Sequence, residues 1–118
     1  MTHNVRIGAI APVIAIVGLF VCSTASAVDE EAARELARAN NCFKCHSVSK
    51  DKDGPAYQKV AAKYKDKPEA EQKLIHHITS GEKAKFPDGH EEDHKIVKTD
   101  PANDMAQIKN LVDWILAQ

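Results

Sequence analysis

The chain has 118 residues, enough for one small domain behind a leader, and it sets 16 Lys+Arg against 17 Asp+Glu for a formal net charge of −1. That near-neutral balance excludes nucleic acid and anionic membrane surfaces as general partners. Residues 1–27 read as a secretory signal peptide: Arg6 supplies a positive n-region, Ile7 to Val21 is almost unbroken apolar sequence, and Ala25-Ser26-Ala27 is a small-x-small cleavage site. Cleavage after Ala27 is expected, with export to the periplasm. The apolar run of about 15 residues is short of the roughly 20 that span a bilayer, so no stable membrane insertion is expected after cleavage. A lipid anchor on Cys22 is disfavoured, because Val21 precedes it where a small residue belongs.

Residues 28–118 then form one domain, with 15 Lys+Arg against 17 Asp+Glu. A first helix starts near Asp29, whose side chain can cap it, with Glu30 and Glu31 favourable at its positive end, and runs through Leu36 towards the stop residues Asn40 and Asn41. Directly after it comes Cys42-Phe43-Lys44-Cys45-His46, a Cys-x-x-Cys-His run, which is the attachment signature of c-type haem. Two thiols on one turn can add across the two vinyl groups of a porphyrin, which leaves the next imidazole beneath the iron as its proximal ligand. With Cys22 removed, no third thiol remains to form a disulfide. A covalent haem would also complete a core that has only five aromatics in residues 28–118, namely Phe43, Tyr57, Tyr64, Phe86 and Trp114.

The rest of the chain reads as helices and loops, with no useful strand alternation. Lys50 to Pro55 is a turn-rich loop. Tyr57, Val60, Ala61 and Tyr64 recur at helical spacing. Pro68 opens a further helix at its first position, Glu69 and Glu71 lie in the first turn, and Gly81 ends it, with Leu74 and Ile78 inward. From Glu82 to Thr99 a polar loop of about 18 residues is expected, a length that points to function. Asp100 and Pro101 signal a cap and first turn, and Ile108, Leu111, Val112 and Ile115 form the inward stripe of a last helix.

The first helix running into Cys42-Phe43-Lys44-Cys45-His46, then Gly54-Pro55-Ala56-Tyr57 followed by Val60-Ala61-Ala62-Lys63-Tyr64, and the closing Leu111-Val112-Asp113-Trp114-Ile115-Leu116 together resemble the small class I cytochromes c, especially the bacterial monohaem c551/c552 type. The resemblance implies an all-α class I cytochrome c fold, three to four helices packed around one covalent haem, with the first and last helices crossing and Leu36 near the Trp114 end. It implies that Pro55 lends its carbonyl to Nδ1–H of His46, turning Nε2 towards iron, as is usual for a metal-bound imidazole. It also implies a distal methionine from a loop before the last helix, and here the chain departs from the pattern. Met1 leaves with the signal, and Met105 continues the inward stripe, which suits a core methionine better than a ligand.

The distal loop offers histidines instead. His94 precedes the apolar Ile96 and Val97 and is the first choice of distal ligand; His90, ringed by acids, follows, then Met105, with Lys98, His77 or an open site behind them. The expected cofactor-binding set is therefore Cys42, Cys45, His46, Pro55 and His94, with His46 and His94 on the metal. His77 shares the face of Leu74 and Ile78 and suits a propionate contact or a core role, whereas His76 points elsewhere. The Lys residues from Lys59 to Lys73 alternate with acids as a solvated surface does. Lys44, Lys50 and Lys52 form a possible docking rim for an acidic partner.

Two other chemistries fit worse. Cys42, Cys45, His90 and His94 have the ligand types of a structural zinc site, but 44 residues separate the halves, and His46 would be unexplained. A dithiol oxidoreductase would need βαβ units that the pattern lacks. Within the haem class, the reading is a periplasmic one-electron carrier, not an enzyme, of low potential through bis-histidine ligation, exchanging electrons with redox partner proteins as a monomer or weak dimer. The alternative is a haem-based gas-binding, sensing or peroxide-reactive protein with an open or labile distal site. The absence of Arg after Arg38 removes the distal guanidinium that peroxide chemistry favours. Intact mass of the exported protein under denaturing conditions should equal residues 28–118 plus one haem; a mass without haem overturns this reading.

Overall fold

The computed structural model describes residues 27–118. The expected signal peptide, residues 1–27 with Arg6 and Cys22, lies outside the described residues except for Ala27. Among the described residues, four helices carry the fold: α1 (Glu30–Ala39), α2 (Tyr57–Tyr64), α3 (Ala70–Ser80) and α4 (Met105–Leu116). A 3-10 turn spans Cys42–Lys44, and a two-stranded antiparallel hairpin pairs β1 (Lys83–Lys85) with β2 (Glu91–Asp93). No described helix is long and apolar enough to cross a membrane.

The capping chemistry sets the start of α1. Asp29 Oδ1 accepts the Ala32 N–H at 3.0 Å, with Glu30 and Glu31 in the first turn. The helix stops at Asn40, and Asn41 takes a left-handed conformation, φ 58°, which swings the chain into the cysteine segment. Asparagine tolerates that conformation better than most residues. The buried residues of α1 are only Ala33 and Ala37, small enough to let it close on α4, which buries Ile108, Leu111, Val112, Trp114 and Ile115. Leu36 packs on this core from the side. Trp114 is 2% exposed, with the Arg34 guanidinium 5.0 Å from its ring centre and the Tyr57 ring edge-on at 5.5 Å. Because α4 packs on α1, α2 and α3, it is the element around which the core forms.

Three sequence expectations are corrected. The last helix is capped by Asp104, not Asp100: Asp104 Oδ1 accepts N–H groups from Ala106 at 2.9 Å and Gln107 at 3.1 Å, and Thr99 Oγ1 in turn accepts the Asp104 N–H at 2.8 Å. Residues 100–103 are therefore a turn ahead of the helix, and Met105 falls at its first position, 51% exposed, outside the inward stripe. Pro68 and Glu69 likewise form a turn before α3, whose end at Gly81, φ 73°, is as expected. The third correction is the hairpin within the expected loop of residues 82–99. Its strands place opposite charges across the ladder, Lys83 against Asp93 and Lys85 against Glu91, with Lys83 Nζ 2.6 Å from the Asp93 carboxylate. Pro87-Asp88-Gly89 makes the turn, closed by Phe86 N–H to the His90 carbonyl at 2.9 Å, with Gly89 at φ 93°.

Leu111→Ala, at a 1% exposed position, should cost about 2–5 kcal/mol. Met105→Leu should change stability by less than about 0.5 kcal/mol. Denaturant midpoints of the holoproteins check both.

Candidate functional site

The 3-10 turn delivers the cysteines and His46 as one unit. Cys45 and His46 both donate their N–H groups to the Cys42 carbonyl, at 3.2 and 2.9 Å. Cys42 and Cys45 are half-buried and form no disulfide. Burial pushes the Cys42 thiol pKa up, partly opposed by the Tyr57 hydroxyl.

His46 is fixed from three directions. Its Nδ1–H donates to the Pro55 carbonyl at 2.8 Å, and the Tyr57 ring stacks on it at 5.2 Å with planes 17° apart. Gly54 closes the third side, where an added Cβ would stand 2.8 Å from both ring nitrogens. The loop bearing these groups is stitched to the motif by Gly54 N–H to the Cys45 carbonyl at 2.7 Å and Tyr57 N–H to the Ser47 carbonyl at 2.9 Å. Asp51 accepts the Ala56 N–H at 2.9 Å, a bond that holds its carboxyl below the usual range. Burial, against the Pro55 bond, lowers the pKa of His46 and keeps the imidazole in the neutral form that binds metal. With Nδ1–H committed, Nε2 is the nitrogen left that could ligate a metal.

Opposite His46, across a cavity of about 910 Å³ lined by Cys42, Cys45, Leu74, Ile78 and Val97 among others, stands His94. The volume is in the range of cofactor sites. The two imidazole centres are 6.3 Å apart, their planes at 50°. A metal bonded at about 2.0–2.1 Å to one nitrogen of each of two facing imidazoles puts their ring centres roughly 6.3 Å apart. The spacing therefore fits a single iron between them. His94 repeats the arrangement of His46: its Nδ1–H donates to a main-chain carbonyl, that of Lys95, at 2.9 Å, and burial followed by nearby His77 lowers its pKa.

His77 also enters the cavity, its ring centre 4.3 Å from that of His94, and its Nδ1–H donates to Glu82 Oε1 at 2.6 Å. The second oxygen of Glu82 is 3.5 Å from His76 Nε2, so His76 reaches the cavity rim instead of pointing away as its helical position implied. The His77 bond holds the Glu82 carboxyl down. Glu82 is a site residue that sequence reasoning missed; the signal was the Gly81 stop, which folds the next residue back over the last turn of α3.

The other sequence candidates lie elsewhere. His90 is exposed on the hairpin turn, where it donates to Asp88, has Nε2 3.2 Å from Glu92 and stacks on Phe86 at 4.3 Å; Asp88 raises its pKa. Neither His90 nor Met105 lines the cavity, and Lys98 is exposed beside it. Cys42, Cys45, His90 and His94 therefore do not assemble a zinc site, and among the described residues no group of three or more His, Cys, Asp or Glu is placed to hold a metal ion. Lys44, Lys50 and Lys52 are exposed beside the motif.

A model of the cytochrome c family matches residues 30–118. Cytochrome c-552 of Nitrosomonas europaea is 36% identical over 87 residues, 73% of this chain and 78% of its own length. Cytochrome c-551 of Allochromatium vinosum is 36% identical over 87 residues, 69% of this chain and 80% of its own. The crystal structure of the class 1 cytochrome MtoD from Sideroxydans lithotrophicus ES-1 aligns with a TM-score of 0.72 and 67% identity, covering 77% of this chain and 97% of that one. The N. europaea c552 crystal structure gives 0.57 and 34%, covering 71% and 96%.

Gly54→Ala drives a methyl group into the His46 ring and should sharply reduce the yield of low-spin holoprotein, read from absorption spectra of the exported material. Pro55→Ala keeps the carbonyl that His46 uses and should be milder.

Proposed function

The chain belongs to the cytochrome c family, in its small class I branch, and we propose that it is a periplasmic one-electron carrier with His46 and His94 as the two axial ligands. It carries a covalently bound c-type haem. When bound, that group supplies a one-electron iron couple. In this reading Cys42 and Cys45 provide the covalent attachment, His46 the proximal nitrogen, and the Pro55 carbonyl holds the His46 ring in the required tautomer. His94 supplies the distal nitrogen, with Lys95 as the matching carbonyl. The signal peptide is removed after Ala27, and residues 28–118 work as a monomer or weak dimer with soluble or membrane-bound redox proteins.

The observation that carries this reading is the facing pair of imidazoles, 6.3 Å apart, each with Nδ1–H on a main-chain carbonyl. Two imidazoles at this spacing, each with Nδ1–H engaged and Nε2 left to bind, are a ligand pair by chemistry. Among the described residues no thioether competes, since Met105 is exposed and outside the cavity. Imidazole donates more strongly than thioether sulfur and favours ferric iron, so the potential falls below that of His/Met relatives. Among the described residues no arginine lines the cavity, and no observation favours the open-site alternative.

The ferric protein should be low-spin without a sulfur-to-iron charge-transfer band. His94→Ala should open the ferrous protein to carbon monoxide, His94→Met should raise the potential, and His90→Ala should leave the spectrum unchanged. A sulfur band in the wild type, or an unaltered spectrum in His94→Ala, would falsify the distal assignment.

A further inference from the structure

The segment bearing His94 is a strap, residues 94–98, tied on both sides. On the α3 side His94 N–H donates to the Glu82 carbonyl at 2.9 Å and Val97 N–H to the Ile78 carbonyl at 2.8 Å, with Val97 buried. On the α1 side the ties among the described residues come from one side chain. Asn40 Oδ1 accepts the Lys98 N–H at 2.7 Å, and Asn40 Nδ2–H donates to the Lys98 carbonyl at 2.9 Å. This two-point pairing reproduces a rung of β-ladder with a side-chain amide. The same Nδ2 also reaches the Leu36 carbonyl at 3.0 Å, which anchors the amide to the last turn of α1. Asn40 stands two residues before Cys42, and its partner Lys98 four residues after His94. One amide therefore links the segment that bears the proximal attachment to the segment that bears the distal imidazole.

We propose that Asn40 is a positioning residue that sets how readily the distal imidazole leaves the iron. The proposal rests on the reading of His94 as distal ligand. For an external ligand to replace His94, the strap must swing outward, a local opening that need not unfold the helices. Both Asn40 bonds to Lys98 lie across that movement, so they count against opening. The fold supplies its own control: Asn110 makes the same two-point pair with the Asp29 main chain, at 2.8 Å for each bond, between α4 and the start of α1. Neither Asn110 nor Asp29 lines the cavity.

The experiment is stopped-flow binding of imidazole to the ferric holoprotein, alongside thermal unfolding, in wild type, Asn40→Ala, Asn40→Asp, Asn110→Ala and His94→Ala. Asn40→Ala should bind imidazole roughly fivefold or more faster than wild type, the worth of at least one net hydrogen bond. Asn40→Asp, which keeps the acceptor for Lys98 N–H and loses the donor, should fall between. Asn110→Ala should lose comparable thermal stability yet bind at the wild-type rate. Equal acceleration in the Asn40 and Asn110 variants would show that only global stability was changed and would overturn the proposal. So would a wild-type rate in Asn40→Ala, or in Asn40→Asp where the alanine variant fails to mature, while His94→Ala binds imidazole without delay and so upholds the distal reading. A wild-type low-spin spectrum in His94→Ala instead overturns that reading itself, and the proposal with it.

Discussion

Everything in this domain is arranged around the orientation of one imidazole. A hydrogen bond from Nδ1 to the Pro55 carbonyl contributes about 0.5–1.5 kcal/mol net, and the Tyr57 stack adds roughly as much. Gly54 leaves the ring the space it occupies, since even a methyl group there would collide with it. Together these exceed thermal energy several-fold, so the orientation of the ring is set by the protein around it. The constraint propagates outward. Tyr57 is 4% exposed because it serves two neighbours at once, stacking on His46 and meeting Trp114 edge-on, and Trp114 is one of the buried side chains of α4, with Arg34 of α1 over its ring. Proximal geometry and helix packing are thus one structure, and a change in either is felt in the other.

The distal side is built by different means. No helix carries His94; it follows a hairpin whose strands have three residues each and whose ladder is exposed and charged. Cross-strand charge pairs of that kind contribute about 0.2–1 kcal/mol each, and surface screening reduces them further. What holds the strap is a handful of specific ties: Val97 sunk into the core, two main-chain bonds to the α3 end, and the Asn40 amide. The domain therefore has a stiff half and a half held at points.

That division also explains what could be read from the sequence. The caps at Asp29 and Gly81, the apolar stripe of α4 and the order of Cys42, Cys45 and His46 are local patterns with local causes, and the helices follow them closely. The hairpin escaped because three-residue strands of Lys, Ala, Glu and Asp have no hydrophobic alternation; its evidence was the Pro87-Asp88-Gly89 turn and the opposed charges flanking it. The start of α4 was misplaced because Asp100 and Asp104 are both plausible caps, and the choice is made by Thr99, which holds the Asp104 N–H. That shift of four residues moved Met105 from the core to the surface. Glu82 and Asn40 were out of reach for another reason: each acts through partners distant in the chain or across a reversal, and pattern reasoning sees neighbours only along one element.

The redox character of the proposed carrier follows from weighing three effects at the cavity. Axial ligands shift haem potentials over about 0.8 V, and a second imidazole pulls towards the low end. An apolar lining pulls the other way, because it disfavours the more highly charged ferric state. Lysines at the rim also oppose ferric iron, yet Lys59, Lys73 and Lys83 are each paired with a carboxylate, and Lys63, Lys85 and Lys95, which also line the cavity, are exposed, where charges beyond a Debye length of about 8–10 Å are screened. With the lysines' opposition weakened by pairing and screening, ligand identity is the largest of the three effects in this reading. In the proposed reading, replacing a distal thioether by the imidazole of His94 would move the working potential downward while the helices that hold the proximal side stay as they are.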